Sequence, residues 1–251
     1  MKKNINFILL SFLLVITLFL SAAFPQGEPA AAAAAAAAKV DEFIKTEMQK
    51  QKIPGVSLAV IRGGQLVYAK GYGYSNVEHQ VPVKPETIFQ SGSVGKQFTA
   101  MAVLMLEKEG KLRLDDPIRK YIPEMPAYAD RITIRRALSQ TSGLRDLYVM
   151  MGQTGRSFQG DTIDALRVIT RSAEPNYEPG ARYLYTNSGW ILAAQAVYRI
   201  TGKSLAEFAE ERIFTPLGMR DTRYLADATT VIPGGAEGYA PRSGPGGGFR
   251  L

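Results

Sequence analysis

The order of strand-like and helix-like segments most constrains the fold of this 251-residue chain. Two β-rich runs, residues 56–61 and 66–72, flank Gly63-Gly64, a pair that favours a tight hairpin turn. From residue 93 to residue 225 the pattern is mainly helical. Strands followed by helices predict a mixed α/β fold of the α+β kind rather than repeated βαβ units. A chain of this length can bury a sizeable core in one or two lobes.

Several segments carry the helical pattern. The most apolar is 94–106, which ends near Gly110. Three more helices are predicted at 162–171, 190–200 and 205–213, the last opened by a Ser204-x-x-Glu207 capping box. An earlier helix has an apolar stripe and stops before a proline; its residues are Val40, Phe43, Ile44, Met48 and Pro54.

The N-terminus has the pattern of an export signal. Met1-Lys2-Lys3 precedes an apolar run at 5–20, and Ser21 and Ala23 are small residues suited to cleavage before Phe24. We therefore predict a signal peptide at 1–23 and a secreted or periplasmic protein, with an uncleaved N-terminal membrane anchor as the alternative. Residues 24–39 are predicted to be an alanine-rich linker or helical lead-in, and 40–251 one domain.

Composition narrows the chemistry. The chain has no cysteine and a single histidine, His79, so we expect no disulfide, no metal site and no cofactor. The net charge is +7, and removal of Lys2 and Lys3 leaves 28 basic against 23 acidic residues, or +5. The densest basic cluster is interpreted as a solvated helix face, and no nucleic-acid partner is predicted; it comprises Arg131, Arg135 and Arg136.

A serine nucleophile without a histidine base is indicated by Ser93-x-x-Lys96. On a helix this spacing places an amine one turn from the hydroxyl, on the same face. His79 lies in a polar stretch, and no G-x-S-x-G elbow precedes a helix. Lys96 then has three interpretations: a base, a proton shuttle or an ordinary solvated lysine. The string also occurs about once by chance in such a chain, and Ser93 has the alternative role of a helix cap.

A second polar pair follows in Tyr185-Thr186-Asn187, on a loop before an apolar helical run. A phenol titrates near pH ~10 in water, and a nearby ammonium favours the phenolate, which can then act as a base. The alternative is structural, with Tyr185 packing and Asn187 capping a helix.

Together these motifs resemble the serine β-lactamase and penicillin-binding-protein superfamily, in its class C β-lactamase, D,D-peptidase and esterase branch. The resemblance covers roughly residues 40–248, with Ser-x-x-Lys as first motif and Tyr-x-Asn as second. Further matches are Ile53-Pro54-Gly55-Val56-Ser57, Gly71-Tyr72-Gly73, Leu114-Asp115-Asp116-Pro117, Thr141-Ser142-Gly143-Leu144, Pro179-Gly180 and Pro216-Leu217-Gly218-Met219. The resemblance implies a β-lactamase/transpeptidase-like fold, in which an α/β lobe takes its sheet from both chain ends and a helical lobe is inserted.

The same resemblance implies roles for the motif residues. Ser93 would be acylated, Lys96 and Tyr185 would share the proton transfers, and Asn187 would bind the substrate amide or Lys96. The substrate would be a small molecule or a peptidoglycan peptide. Two departures stand out. Gln140 occupies a position where relatives commonly carry histidine, which we expect to alter only local packing. The third motif, Lys-Thr-Gly or a His-x-Gly variant, is absent, so the antiparallel sheet is expected to be incomplete and the chain to be the N-terminal part of a longer protein. The alternative is a disordered tail on a complete smaller domain.

Three functional hypotheses follow. The first is an exported serine hydrolase that forms an acyl-enzyme with an amide, β-lactam or ester. The second is a non-catalytic peptidoglycan- or penicillin-binding protein, or a truncated pseudoenzyme, which the absent third motif favours. The third, a membrane-tethered helical interaction protein, leaves the two motifs unexplained. The motifs indicate the reaction type but neither the leaving group nor the oligomeric state.

Overall fold

The computed structural model describes residues 30–153, 162–225, 230–242 and 248–250. The predicted signal peptide lies outside these residues, as does most of the glycine-rich segment near the C-terminus. The chain divides into two units. One combines the described parts of Met1–Thr87 and Gly234–Leu251, and the other is Ile88–Pro233.

The first unit contains the sheet. Its elements are α1 (Ala30–Gln51), β1 (Gly55–Arg62), β2 (Gln65–Asn76), β3 (Val81–Pro82), β4 (Ala240–Pro241) and β5 (Phe249–Arg250). The hairpin prediction is confirmed: β1 pairs antiparallel with β2, and both turn glycines, Gly63 and Gly64, have positive φ. The strand order is β1-β2-β3, and β4 and β5 form a separate antiparallel pair.

Helix α1 joins the alanine tract to the predicted N-terminal helix in one element and is held to β2 by Asp41. The carboxylate of Asp41 accepts hydrogen bonds from the hydroxyls of Tyr68 at 2.7 Å and Tyr72 at 2.8 Å, and from Lys70 Nζ at 2.7 Å. These bonds, that from Lys70 above all, lower the pKa of Asp41. Within the described residues, no helix combines the length and apolarity needed to cross a bilayer.

The second unit is helical. Its α-helices are α2 (Lys96–Lys108), α3 (Ile134–Leu138), α4 (Leu147–Gln153), α5 (Thr162–Thr170), α6 (Ser188–Thr201) and α7 (Leu205–Ala209). Two helix predictions need adjustment. The helix expected at 94–106 begins later, because a 3-10 turn at Gly92–Gly95 precedes it. The helix expected at 205–213 has its capping box, but it passes into a π-helical turn at Glu210–Phe214.

The core of this unit lies around α2 and α6. Ala102, Val103 and Leu106 on α2 are fully buried together with Leu192 and Ala196 on α6. Gly189, near the start of α6, lets that helix approach α3 closely: a Cβ built there would lie 2.8 Å from the carbonyl oxygen of Ala137. The packing therefore sets the position of the N-terminal end of α6, where Asn187 lies.

Two of the three residues of the basic cluster form ion pairs within the same unit, and the third, Arg136, donates through Nη1 to the carbonyl oxygen of Arg131 at 2.6 Å. Arg135 contacts Asp115 through Nε at 2.8 Å, and Arg131 forms an ion pair with Glu178. All four side chains remain largely exposed, as the interpretation of a solvated face requires.

Candidate active site

Ser93 lies on the 3-10 turn that leads into α2, and Lys96 is the first residue of that helix. Side chains three residues apart eclipse in 3-10 geometry, and Lys96 Nζ donates a hydrogen bond of 3.0 Å to Ser93 Oγ. The alternative that Ser93 caps the helix is wrong, because Gly95 occupies the N-cap of α2. The serine hydroxyl is instead exposed and held by Lys96 and Tyr185.

Tyr185 contacts both Ser93 and Lys96. Its hydroxyl lies 2.6 Å from Ser93 Oγ, and Lys96 Nζ lies 5.1 Å from the centroid of its ring. The pKa of Tyr185 is lowered, mainly by hydrogen bonding to Lys96 and next by the bond to Ser93. The phenol is therefore easier to deprotonate than an ordinary tyrosine, and 45% of its surface is open to solvent.

Asn187 is the fourth predicted site residue, and it contacts Lys96. Its Oδ1 accepts a hydrogen bond of 2.9 Å from Lys96 Nζ. Asn187 occupies the N-cap of α6, yet its side chain makes no capping hydrogen bond, so the amide is committed to Lys96 rather than to the helix. The structure thus brings together all four predicted site residues, Ser93, Lys96, Tyr185 and Asn187, although the two motifs lie 92 positions apart.

Two residues that support the Tyr185 loop were not singled out as site residues from the sequence. Asp146 accepts the backbone N–H of Asn187 at 2.6 Å. Gln140 accepts the backbone N–H of Thr186 through Oε1 at 2.8 Å, and its own carbonyl accepts the N–H of Leu184 at 2.9 Å. Gln140 is buried and has φ of +63°, a strained value for a residue with a side chain. Its role is therefore more direct than the expected change in packing.

The turn that carries Ser93 is anchored from α2 and from Tyr224. The hydroxyl of Tyr224 donates to the carbonyl oxygen of Gly95 at 2.8 Å and lies 3.0 Å from Thr99 Oγ1. Burial raises the pKa of Tyr224, so this phenol stays protonated and remains a donor.

Comparison with known proteins agrees with this geometry. The sequence profile described as Beta-lactamase matches residues 40–248. The chain belongs to the Beta-lactamase family. Among the curated relatives of this family member, penicillin-binding protein 4* of Bacillus subtilis (strain 168) is 30% identical over 185 residues, which are 72% of this chain and 40% of that protein.

Solved structures of similar fold support the membership. The octameric penicillin-binding protein homologue from Pyrococcus abyssi superposes with a TM-score of 0.75 at 31% identity, over 85% of this chain and 50% of that one. A class C β-lactamase in complex with cefoxitin gives a TM-score of 0.69 at 28% identity, over 82% of this chain and 56% of that one. The β-lactamase/transpeptidase-like fold expected from the motifs is confirmed. This family member spans about two fifths of the Bacillus relative.

A cavity of about 290 Å³ lies against Tyr185 in this Beta-lactamase family member. It is lined by Arg145, Asp146, Val149, Met150, Gln153, Asn176, Leu184 and Tyr185. The arrangement can therefore combine an exposed hydroxyl, an adjacent cation, a phenol of lowered pKa and room for a neighbouring chemical group. Ser93 also precedes the positive end of the 13-residue helix α2, which favours negative charge developing on a reacting oxygen.

Proposed function

We propose that the protein is an exported serine hydrolase that forms an acyl-enzyme on Ser93. The observation that carries the proposal is the position of Ser93 Oγ, which lies 2.6 Å from the hydroxyl of Tyr185 and 3.0 Å from Lys96 Nζ. Both distances suit proton transfer. Export rests on the signal-peptide pattern at residues 1–23, and a retained leader would make the protein membrane-anchored.

The proposed reaction has two stages. In the first, Ser93 Oγ attacks the substrate carbonyl carbon and loses its proton to the Tyr185–Lys96 pair, in which the phenolate oxygen of Tyr185 accepts the proton beside the ammonium of Lys96. The same pair delivers a proton to the leaving group as the tetrahedral intermediate collapses to the acyl-enzyme. In the second stage a water molecule attacks the ester carbonyl carbon and gives a proton to the same pair. As the ester bond breaks, the pair passes that proton to Ser93 Oγ, and the acid product leaves. Asn187 holds Lys96 in place through its Oδ1.

The proposed substrates are amides, β-lactams or esters, with peptidoglycan peptides among the amides. Two kinds of relative support this range: penicillin-binding proteins and a class C β-lactamase bound to cefoxitin. The motif residues supply the nucleophile and the proton transfers, whereas the side chains that line the substrate cleft select the leaving group. The substrate class is therefore tested by the choice of probe.

The experiment is intact mass spectrometry of the purified protein after incubation with a fluorophosphonate or with penicillin. We expect one covalent adduct per chain, located on Ser93 by peptide mapping. Ser93→Ala should abolish the adduct, and Ser91→Ala is the matched control, since Ser91 adjoins the same turn and makes no side-chain capping bond. An adduct that persists in Ser93→Ala, with wild-type unfolding behaviour, contradicts the assignment of the nucleophile.

A second candidate function is reversible binding without turnover, as in a pseudoenzyme. The observation that favours it is the similarity to proteins named for the binding of penicillin, which are penicillin-binding protein 4* and the homologue from Pyrococcus abyssi. Penicillin that binds by calorimetry but adds no mass would support it. Slow hydrolysis that is lost in Ser93→Ala would exclude it.

A further inference from the structure

We propose that Asp146 is a positioning residue: it sets the orientation of the Asn187 side-chain amide and, through it, the place of Lys96 beside Ser93. The effect on acylation rests on the proposed function, whereas the effect on the amide does not. Asp146 lies 41 residues before Asn187 in the chain and touches neither Ser93 nor Lys96 in any hydrogen bond of the described residues.

The two carboxylate oxygens of Asp146 accept hydrogen bonds from different segments of the chain. Its Oδ2 accepts from the backbone N–H of Asn187 at 2.6 Å and from the Nδ2 of the same residue at 3.0 Å. Its Oδ1 accepts from the backbone N–H groups of Tyr148 at 3.0 Å and Val149 at 3.2 Å, which lie in the first turn of α4. One oxygen therefore caps a helix, and the other holds the Tyr185-Thr186-Asn187 loop.

The chemistry of the neighbours leaves the amide of Asn187 one satisfactory orientation. A carboxylate only accepts hydrogen bonds and an ammonium only donates them. Nδ2 must therefore face Asp146, and Oδ1 must face Lys96, where it accepts at 2.9 Å. Rotation of the amide by 180° would place a donor against the ammonium and an acceptor against the carboxylate, so both bonds would be lost.

The consequence extends to the nucleophile through Lys96. Its ammonium donates to Ser93 Oγ and to Asn187 Oδ1 at the same time. Without the second bond the flexible lysine side chain keeps its hydrogen bonds to the hydroxyls of Ser93 and Tyr185 but loses the amide that holds it from its other side, so its position beside the serine is less fixed. A displacement of about 1 Å at a reacting group can cost about 100-fold in rate, and we expect a loss of at least tenfold.

The test uses Asp146→Ser, which keeps the cap of α4 but removes the hydrogen bonds to Asn187. Serine is as good a helix cap as aspartate, so α4 keeps its cap, but the shorter side chain has no second oxygen to reach Asn187. We expect some loss of stability in urea unfolding, because the N–H of Asn187 loses its acceptor. The fluorophosphonate labelling rate, measured without urea where the variant is fully folded, should be at least tenfold lower. Asp130→Ser removes an exposed carboxylate paired with Arg119 and serves as the control, with an unchanged labelling rate.

Two readouts distinguish positioning from a merely structural role. The first is the ¹H–¹⁵N signal of the Asn187 side-chain amide, assigned by its loss in Asn187→Ala, which should shift in Asp146→Ser but not in Asp130→Ser. The second is the pH profile of labelling. Lys96 is the main cause of the lowered pKa of Tyr185, and the charge of Asp146 raises that pKa by less. If Asp146→Ser lets Lys96 move away, the rise in labelling rate should therefore move to higher pH. A rise that moves to lower pH would mean that Lys96 has stayed in place, and it would count against the link to acylation. A structural defect alone would lower the rate at every pH.

The outcomes are separable. An unmoved amide signal in Asp146→Ser overturns the positioning role, whatever the labelling rate. A shifted amide signal with a wild-type rate and pH profile overturns the link to acylation. If the wild-type protein is not labelled at all, the proposed function fails, and the amide signal alone still decides whether Asp146 orients Asn187.

Discussion

Replacement of Gly189 by alanine should disturb the candidate site without changing any of its residues. The added Cβ would lie 2.8 Å from the carbonyl oxygen of Ala137 and 3.2 Å from its Cα. Ordinary contacts begin at 3.4 Å, so the oxygen is about 0.6 Å too close. Both obstacles are backbone atoms, which cannot rotate away, and the start of α6 must therefore move away from α3.

The expected magnitude follows from two opposing effects. Alanine inside a helix is normally more stable than glycine by about 0.5–1 kcal/mol. Insertion of a group into a filled space costs about 1–3 kcal/mol, and here the second effect should dominate because the contact is with backbone. We expect a net loss of about 1–2 kcal/mol in the free energy of unfolding. Since Asn187 immediately precedes α6, a shift of about 0.6 Å should also slow Ser93 labelling about tenfold.

The assay measures urea unfolding and the fluorophosphonate labelling rate for the same samples. Gly152→Ala is the matched control, because Gly152 lies in α4 with no atom within 4 Å of the position of a Cβ. That variant should be as stable as the wild type or more stable, by up to about 1 kcal/mol. If Gly189→Ala behaves like Gly152→Ala in both measurements, the close approach of α6 to α3 does not hold the site, and the reasoning is refuted.

Three further predictions concern pairing and pH. Lys96→Met removes the main cause of the lowered pKa of Tyr185, so the pH midpoint of labelling should rise and the rate at neutral pH should fall by about 100-fold or more; an unchanged midpoint would count against a basic role for the phenol. Gln140→Leu leaves a buried loop N–H without its acceptor and should cost about 1–3 kcal/mol in urea unfolding, whereas Gln140→His restores an acceptor nitrogen and should cost less. The pKa of Asp116 is lowered to about 2, chiefly by the hydrogen bond from Tyr121. The ionised carboxylate of Asp116 therefore stabilises the folded state above the unfolded pKa of about 3.9, and this stabilisation is lost as the pH falls toward about 2. Asp116→Asn should lose less stability than the wild type when the pH is lowered. Urea unfolding between pH 2 and 5 measures the difference.

Local sequence patterns anticipated much of the fold. The Gly63-Gly64 turn predicted the β1–β2 hairpin, and the Ser204-x-x-Glu207 string predicted the start of α7. Both depend on residues close together in the chain, for which backbone preference and hydrogen bonding are decided locally. The end of α7 was missed, because a π-helical turn at Glu210–Phe214 has no comparable local signature.

In the candidate site, too, the sequence predicted the local contacts but not the long-range ones. Spacing alone determined that Lys96 lies beside Ser93, since three residues of helical or 3-10 backbone bring the two side chains to one face. The motif resemblance paired them with Tyr185 and Asn187. Spacing did not reveal that Gln140 and Asp146 hold the loop. Their partners are backbone N–H groups 46 and 41 positions away, and backbone groups are the same at every residue.

The sequence by itself therefore determined the chemistry available to this protein: a serine, an amine, a phenol and an amide, in an order typical of one family. Only the tertiary structure decided how those side chains are positioned and oriented. The amide of Asn187 can face Lys96 only because packing brings Asp146 to its other side. Such a contact depends on the close approach of helices that are distant in sequence, and packing of whole elements, rather than the preference of any one residue, sets that distance.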